Sequence, residues 1–250
     1  MNNGNILRNV RIIMKRELAS YFGSPVAYVF IVIFLLLTGF FTFYISNFFE
    51  AGQADLKGFF QWHPWLFMFL VPAVAMRLWA EERRLGTIEL LLTLPVTVTD
   101  VVLGKFLAAW CFIGIALALT FPMVLTVIYL GNPDLGVILC AYLGSFLMAG
   151  AFLSVGSMTS ALTRSQVVSF ILAVVACLFL ILAGFAPVTA VLSGWAPAWL
   201  VDLVSSTSVL SHFASIARGV VDLRDLFYYL SVMAFMIVLN GVILQNRESA

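Results

Sequence analysis

Along the chain, apolar positions run in long blocks separated by short polar ones. Charged side chains are absent from 26–49, 106–133, 135–163, 165–201 and 226–246, and 58–76 holds only His63, near its start. Each block is close to or longer than the about 20 residues that cross about 30 Å of hydrocarbon as a helix. They predict six spanning helices, at about 26–48, 62–81, 105–130, 136–162, 166–186 and 226–245. The expected fold class is therefore an all-α integral membrane protein, with residues 26–250 as a six-helix transmembrane domain.

Ahead of the first span, Ile6, Leu7, Val10, Ile13, Met14, Leu18 and Phe22 recur at helical spacing among Arg8, Arg11, Lys15 and Arg16. That pattern predicts a basic amphipathic helix on the cytoplasmic membrane surface, an interface segment over residues 1–25 that Gly23, Ser24 and Pro25 end. A full-length span follows the basic start, where a secretory leader would have a short apolar core and a cleavage site, so the first span is expected to stay in the protein.

The connections differ in kind. Gly131–Leu135 and Thr163–Ser165 read as tight turns. Between spans five and six, Val188, Val191, Leu192, Trp195, Trp199 and Leu200 are apolar but broken by Gly194 and Pro197, too short a run to cross as one helix. We expect an outer re-entrant hairpin there, with Pro187, Gly194, Trp195 and Pro197 as candidate gate residues. An interfacial loop anchored by its tryptophans is the alternative. In the fourth span, Gly144, Ser145, Ala149, Gly150, Ser154, Ser157 and Ala161 give small surfaces for close helix contact, either inside the chain or against a second copy.

Composition agrees with a membrane protein: 63% of the 250 residues are hydrophobic and 10% charged, against about 45–50% and 25% in soluble domains. The net charge of +1 gives no bias toward nucleic acid. With the N-terminus inside, Arg8, Arg11, Lys15, Arg16, Arg77, Arg83, Arg84, Lys105, Arg164 and Arg247 are cytoplasmic and only Lys57, Arg218 and Arg224 lie outside. The positive-inside rule thus predicts both termini in the cytoplasm.

Several chemistries lack their residues. No predicted span has an Asp, Glu, Lys or Arg near its middle, which argues against an ion-coupled carrier. His63 and His212 are predicted near the outer surface as interfacial residues, too few and too isolated for a metal cluster. Cys111, Cys140 and Cys177 fall inside spans without a CxxC pair, as small core residues. Gly104-Lys105 lacks the earlier glycine of a phosphate loop, so no nucleotide site is expected in this chain.

One charged stretch interrupts the apolar pattern. The second span ends in RLWAEERRLG, then TIELLLTLP reads as a short helix with Thr87 as N-cap, Glu89 near the positive end of its dipole and Pro95 as its stop. Thr97 and Asp100 have the spacing of a capping box opening the third span. The expected product is a partly apolar cytoplasmic peg between two long helices, where a partner could push.

The stretch EERRLGTIELLLTLPVTVTDVVLGKF resembles the conserved loop of ABC-2 type transporter permeases, at Glu82, Gly86, Thr87, Glu89, Leu91, Pro95, Gly104 and Lys105. The resemblance covers nearly the whole chain. It implies a coupling helix seated in a groove of an ATPase subunit, with Glu81, Glu82, Arg83, Arg84, Gly86, Thr87, Glu89, Leu91 and Pro95 as coupling residues. It implies two ABC ATPase subunits that bind ATP and Mg, no cofactor in this chain, and a second permease chain, identical or related. A periplasmic or membrane accessory protein is a further possible partner. The bilayer implied is the bacterial inner membrane and the direction export. SHFASIARGVVDLRDLFYYLS is similar to the gliding-motility-associated subgroup at His212, Phe213, Arg218, Gly219, Asp222, Arg224 and Asp225. The alternative function is a membrane scaffold through which an ATPase does mechanical work or assembles an envelope complex. From their spacing alone, Gly219 can end a helix, Asp225 can cap the last span, and Arg218 can pair with Asp222.

Overall fold

The computed structural model describes residues 3–50, 52–86 and 96–248, and side chains within 6–246 of these. Among the described residues the backbone is helical with short connections and no strand. The helices are α1 (Asn3–Phe22), α2 (Pro25–Phe40, prolonged by a π-helical turn at Phe41–Ile45), α3 (Lys57–Gln61), α4 (His63–Ala75), α5 (Arg77–Leu85) and α6 (Val98–Ala118). They continue as α7 (Phe121–Leu130), α8 (Leu135–Leu162), α9 (Gln166–Leu182), α10 (Ala186–Ser193), α11 (Ala198–Ser206), α12 (Val209–Ile216) and α13 (Leu223–Glu248). Short polar side chains start many of them. Asp134 accepts from the Gly136 and Val137 N–H groups, Ser165 from Val168, and Ser208 from Leu210 and Ser211, supplying acceptors that a helix N-terminus lacks.

Five helical stretches are long and apolar enough to cross a membrane: Pro25–Ile45, His63–Leu85, Val98–Leu130, Leu135–Leu162 and Leu223–Asn246. The protein is thus a multi-pass membrane protein by length and composition. The fifth expected span, 166–186, is shorter than read from the sequence. Its straight helix α9 stops at Leu182, and α10 leaves it at 67°. Beside the bend, Gly184 leaves room for the start of α12, since a Cβ there would collide with the Ser208 and Ser211 hydroxyls. Spans two and three are composite. α4 gives way to α5 at Met76, four residues after Pro72, and α6 gives way to α7 at Leu119–Thr120, with Pro122 in the first turn of α7. Both prolines thus adjoin the breaks, as bending at their positions requires.

α8 is the central post, packed by α4, α5, α6, α9, α12 and α13. Its small residues Gly144, Ser145, Ala149, Gly150, Ser154, Ser157 and Ala161 are all buried, which resolves their role in favour of contact within the chain. At Gly156 an added Cβ would fall 2.5 Å from the Ala75 Cβ, so only glycine lets α4 approach this closely. His63, expected at an interface, is instead fully buried: its Nδ1 lies 2.8 Å from Ser145 Oγ, and Phe59, Phe60 and Phe67 surround the ring. The small face of α8 makes that contact reachable.

α1 lays its apolar side on α6. Gly104 is the contact point, since a Cβ there would meet Ile13 Cγ2 at 2.7 Å and the Val10 carbonyl at 3.3 Å. Asn9 Nδ2 donates to Asp100 Oδ2 at 3.2 Å beside this crossing. Tyr21 stacks on Phe112 at 5.1 Å, and burial, aided by the Glu17 carboxylate, pushes its phenol well above the ordinary range. Val10, Ile13 and Leu18 therefore face protein, whereas Leu7 and Ile12 stay exposed beside Arg8, Arg11 and Lys15.

The hairpin expected between spans five and six consists of α10 and α11, joined at Gly194–Pro197. Its backbone is mostly helical, not irregular as the Gly and Pro pattern suggested, because Pro187 falls in the first turn of α10 and Pro197 just before α11, where their missing N–H groups cost nothing. Neither helix has a buried residue, and Trp195 and Trp199 are exposed.

Candidate functional site

The stretch expected to be the coupling helix, with Thr87, Glu89, Leu91 and Pro95, lies outside the described residues. Both of its stems are described. The incoming stem, α5, ends at Gly86, whose φ of 70° is the left-handed geometry that glycine adopts without strain at a helix C-terminus. The outgoing stem opens at Thr97, with the expected capping box: Asp100 N–H donates to Thr97 Oγ1 at 3.2 Å and Thr97 N–H to Asp100 Oδ2 at 3.3 Å.

The two stems are clasped by charge. Lys105 Nζ, on α6, lies 2.6 Å from Glu82 Oε1 on α5, donates to the Leu78 carbonyl at 3.3 Å, and sits 3.8 Å from Glu17 of α1. It also stands over the Trp79 ring, 5.2 Å from the centroid. Only 5% of its side chain is exposed. A cation buried this far persists only when charge and hydrogen-bond acceptors surround it, and these partners supply both.

α5 is further pinned to the central post. Ser160 Oγ accepts from the N–H groups of Trp79 at 3.1 Å and Ala80 at 3.0 Å, and donates to the Met76 carbonyl at 3.0 Å. Trp79 and Ala80 lie in the first turn of α5, where helical N–H groups have no partner of their own. Ser160 thus caps α5 from another helix. One turn away on α8, Ser157 Oγ accepts from Trp79 Nε1 at 3.2 Å and from Asn240 Nδ2 of α13 at 2.6 Å. Arg83 adds a bond to the Ala161 carbonyl. Glu17, Lys105, Glu82, Trp79, Ser157, Ser160 and Asn240 thereby join α1, α6, α5, α8 and α13 into one polar knot.

The knot sorts the expected coupling residues. Glu82 and Arg83 turn inward to it, and Glu81 pairs with Arg77 one turn back at 3.0 Å. Arg84 and Leu85 are exposed beside Gly86. Ser157 was read only as a small packing residue, and Ser160 was not singled out. Their spacing of three opposite the Trp79 indole is the sequence signal for the pin.

The second charged stretch lies toward the other end of α8, where Gly219 meets Val137, about 35 Å along the helix from Ser160 at 1.5 Å per residue. His212 Nδ1 of α12 meets Asp225 Oδ1 of α13 at 2.6 Å, its Nε2 faces the Ser206 carbonyl at 3.1 Å, and its ring stacks on Tyr228 at 4.0 Å. Asp225 therefore does not cap α13. Asp222 does so instead, accepting from the Arg224 N–H at 3.0 Å, because the buried Asp225 carboxylate is held by His212. Arg218 is not paired with Asp222; its Nε donates to the Ala214 carbonyl at 3.1 Å. Gly219, at φ 89°, makes the turn between α12 and α13 as expected. Among the described residues no three His, Cys, Asp or Glu side chains converge on a metal-sized site.

The described residues thus form a bundle of apolar helices in which the two long helices on either side of the charged segment are clasped together and pinned to the central post. The family comparison names the class: the model of the ABC-2 family transporter protein matches residues 11–245, and the chain belongs to this family. It is the permease component of an ABC transporter, a subunit that generally lacks an ATPase site of its own and works with an ABC ATPase subunit. A comparison with curated proteins gives no match.

Proposed function

We propose that residues 81–95 are the contact through which the ABC ATPase drives this permease. The carrying observation is the clasp: Glu82 and Lys105 hold the two stems of the segment together at 2.6 Å, and Ser160 fixes the first stem to α8. A push on the segment between rigidly joined stems displaces α4–α5 and α6–α7 together, with the breaks at Met76 and Leu119–Thr120 as the points of flexure. Glu89, Leu91 and the exposed Arg84 and Leu85 form the contact surface. Gly86, Thr87 and Pro95 shape the segment, and Glu81 acts through Arg77.

On the same reading the charged end of the bundle is cytoplasmic in the inner membrane of a bacterium, with both termini inside and residues 1–25 as an interface helix ahead of the domain 26–250. Two ATPase subunits supply ATP and Mg chemistry, a second permease chain completes the path, and the direction is export. The α10–α11 hairpin, with Pro187, Gly194, Trp195 and Pro197, is the outer gate, and its unburied tryptophans are surface for the bilayer or the second permease. A gliding-motility-like subgroup, read from residues 211–231, and a periplasmic or membrane accessory protein belong to the same reading.

Leu91→p-benzoylphenylalanine, photo-cross-linked in membranes that carry the whole transporter, tests the reading. The expected adduct is an ATPase chain, and an adduct set free of any ATPase would overturn it.

A further inference from the structure

At the end of α8 remote from the knot lies a cavity of about 820 Å³ between α3, the start of α4, the start of α8 and α12, within the about 300–1,000 Å³ of small-molecule sites. Its walls are mainly apolar, with Phe60, Ile138 and Phe213 among them, and its charges are Asp55, Lys57, Asp134 and Arg218. Those charges are not equally engaged. Lys57 and Asp55 satisfy each other at 3.3 Å. Arg218 spends only Nε, on Ala214, and Asp134 only Oδ1, on the start of α8. The two belong to one wall, since Gly219 presses so closely on α8 that a Cβ there would lie 2.9 Å from Val137 Cγ2. Yet among the described residues no ion pair joins the two. A cation and an anion that each keep open polar atoms, on the lining of one mainly apolar cavity, match one molecule that carries both opposite charges in its head and a hydrocarbon body.

We propose that this cavity binds a membrane phospholipid whose head holds a phosphate and an ammonium group, with the phosphate on the Arg218 guanidinium, the ammonium on Asp134 Oδ2 and an acyl chain against Phe60, Ile138 and Phe213. A planar guanidinium with two open nitrogens suits a phosphate, which accepts paired hydrogen bonds. A phospholipid with phosphate alone leaves Asp134 facing an anion. Neither the segment 87–95 nor an ATPase is needed for this binding, so it stands or falls apart from the coupling assignment.

The test is native mass spectrometry of the purified full-length chain released from nanodiscs of equal phosphatidylethanolamine and phosphatidylglycerol. The native chain is expected to keep one phosphatidylethanolamine after the annular lipid is stripped. Arg218→Gln lowers its retention roughly tenfold, the worth of one charge-assisted hydrogen bond. Asp134→Asn preserves the helix cap, since asparagine caps as well as aspartate, and abolishes the preference over phosphatidylglycerol. Ala214→Trp, on the exposed wall of the cavity, displaces both lipids. Thermal unfolding midpoints that match the native chain identify the variants as folded. Equal retention of the two lipids by the native chain, or native-like retention in Arg218→Gln and Ala214→Trp, overturns the proposal and assigns the lipid to the annulus.

Discussion

Lys105 Nζ and Glu82 Oε1, 23 positions apart in sequence, lie 2.6 Å from each other and tie together the helices before and after the charged segment. Removing Lys105 leaves a mostly buried carboxylate without its main cation. Lys105→Met is expected to cost stability toward the lower end of about 3–5 kcal/mol, because Glu82 keeps some contact with water. Lys105→Met combined with Glu82→Gln should recover most of that loss in a double-mutant cycle read by thermal unfolding. Losses that simply add in the double variant would show that the two charges do not act as a pair.

Ser160 gives three hydrogen bonds to the α4–α5 junction, and alanine gives none. Ser160→Ala should destabilise the protein by about 1–3 kcal/mol, the cost of buried polar groups left without partners. It should also free α5 from α8. Spin labels at the exposed positions Leu85 on α5 and Leu139 on α8 are expected to give one narrow distance distribution in the native background and a broadened one in Ser160→Ala. An unchanged distribution would remove Ser160 from the lever.

Gly104 sets the crossing of α1 over α6. The Cβ of Gly104→Ala enters the space of Ile13 and approaches the Val10 carbonyl, and overpacking of this kind costs about 1–3 kcal/mol. Limited proteolysis should then release α1 faster than in the native chain, while the rest of the bundle stays intact. Equal protection of α1 would mean that it adjusts without strain.

His212 holds the buried Asp225 and stacks on Tyr228, and through them it ties α12 to α13. His212→Ala should accelerate hydrogen exchange over 198–216 selectively and cost about 1–3 kcal/mol for the stranded carboxylate. Exchange that rises equally in α8 would mean that the contact supports the whole bundle and not the hairpin end.

The sequence was legible wherever one physical rule dominated. Long uncharged blocks predict the spans because lipid demands them, and α2, α8 and α13 fall within a few residues of their expected bounds. The capping box at Thr97 and Asp100 depends on residues three apart and was readable for that reason. Features made across the chain were not. Beside the bend after Leu182, Ser208 stands against Gly184, and α13 is capped by Asp222 while a histidine thirteen residues away takes the Asp225 carboxylate. Glu82 read as a docking residue by its place in a charged run. Its inward turn required knowing that Lys105 returns to the same spot. Ser157 looked like a spacer because its hydroxyl partners, Trp79 and Asn240, come from distant helices.

The central claim is that the segment after α5 is where the ATPase holds this permease. The most direct measurement is co-purification of the tagged chain from gently solubilised membranes, with Glu89→Lys and Arg84→Glu variants alongside, followed by identification of the associated chains. The account predicts an ABC ATPase with the native chain and its loss from both variants, which remain folded and membrane-inserted. An ATPase retained at native level by both variants would contradict it.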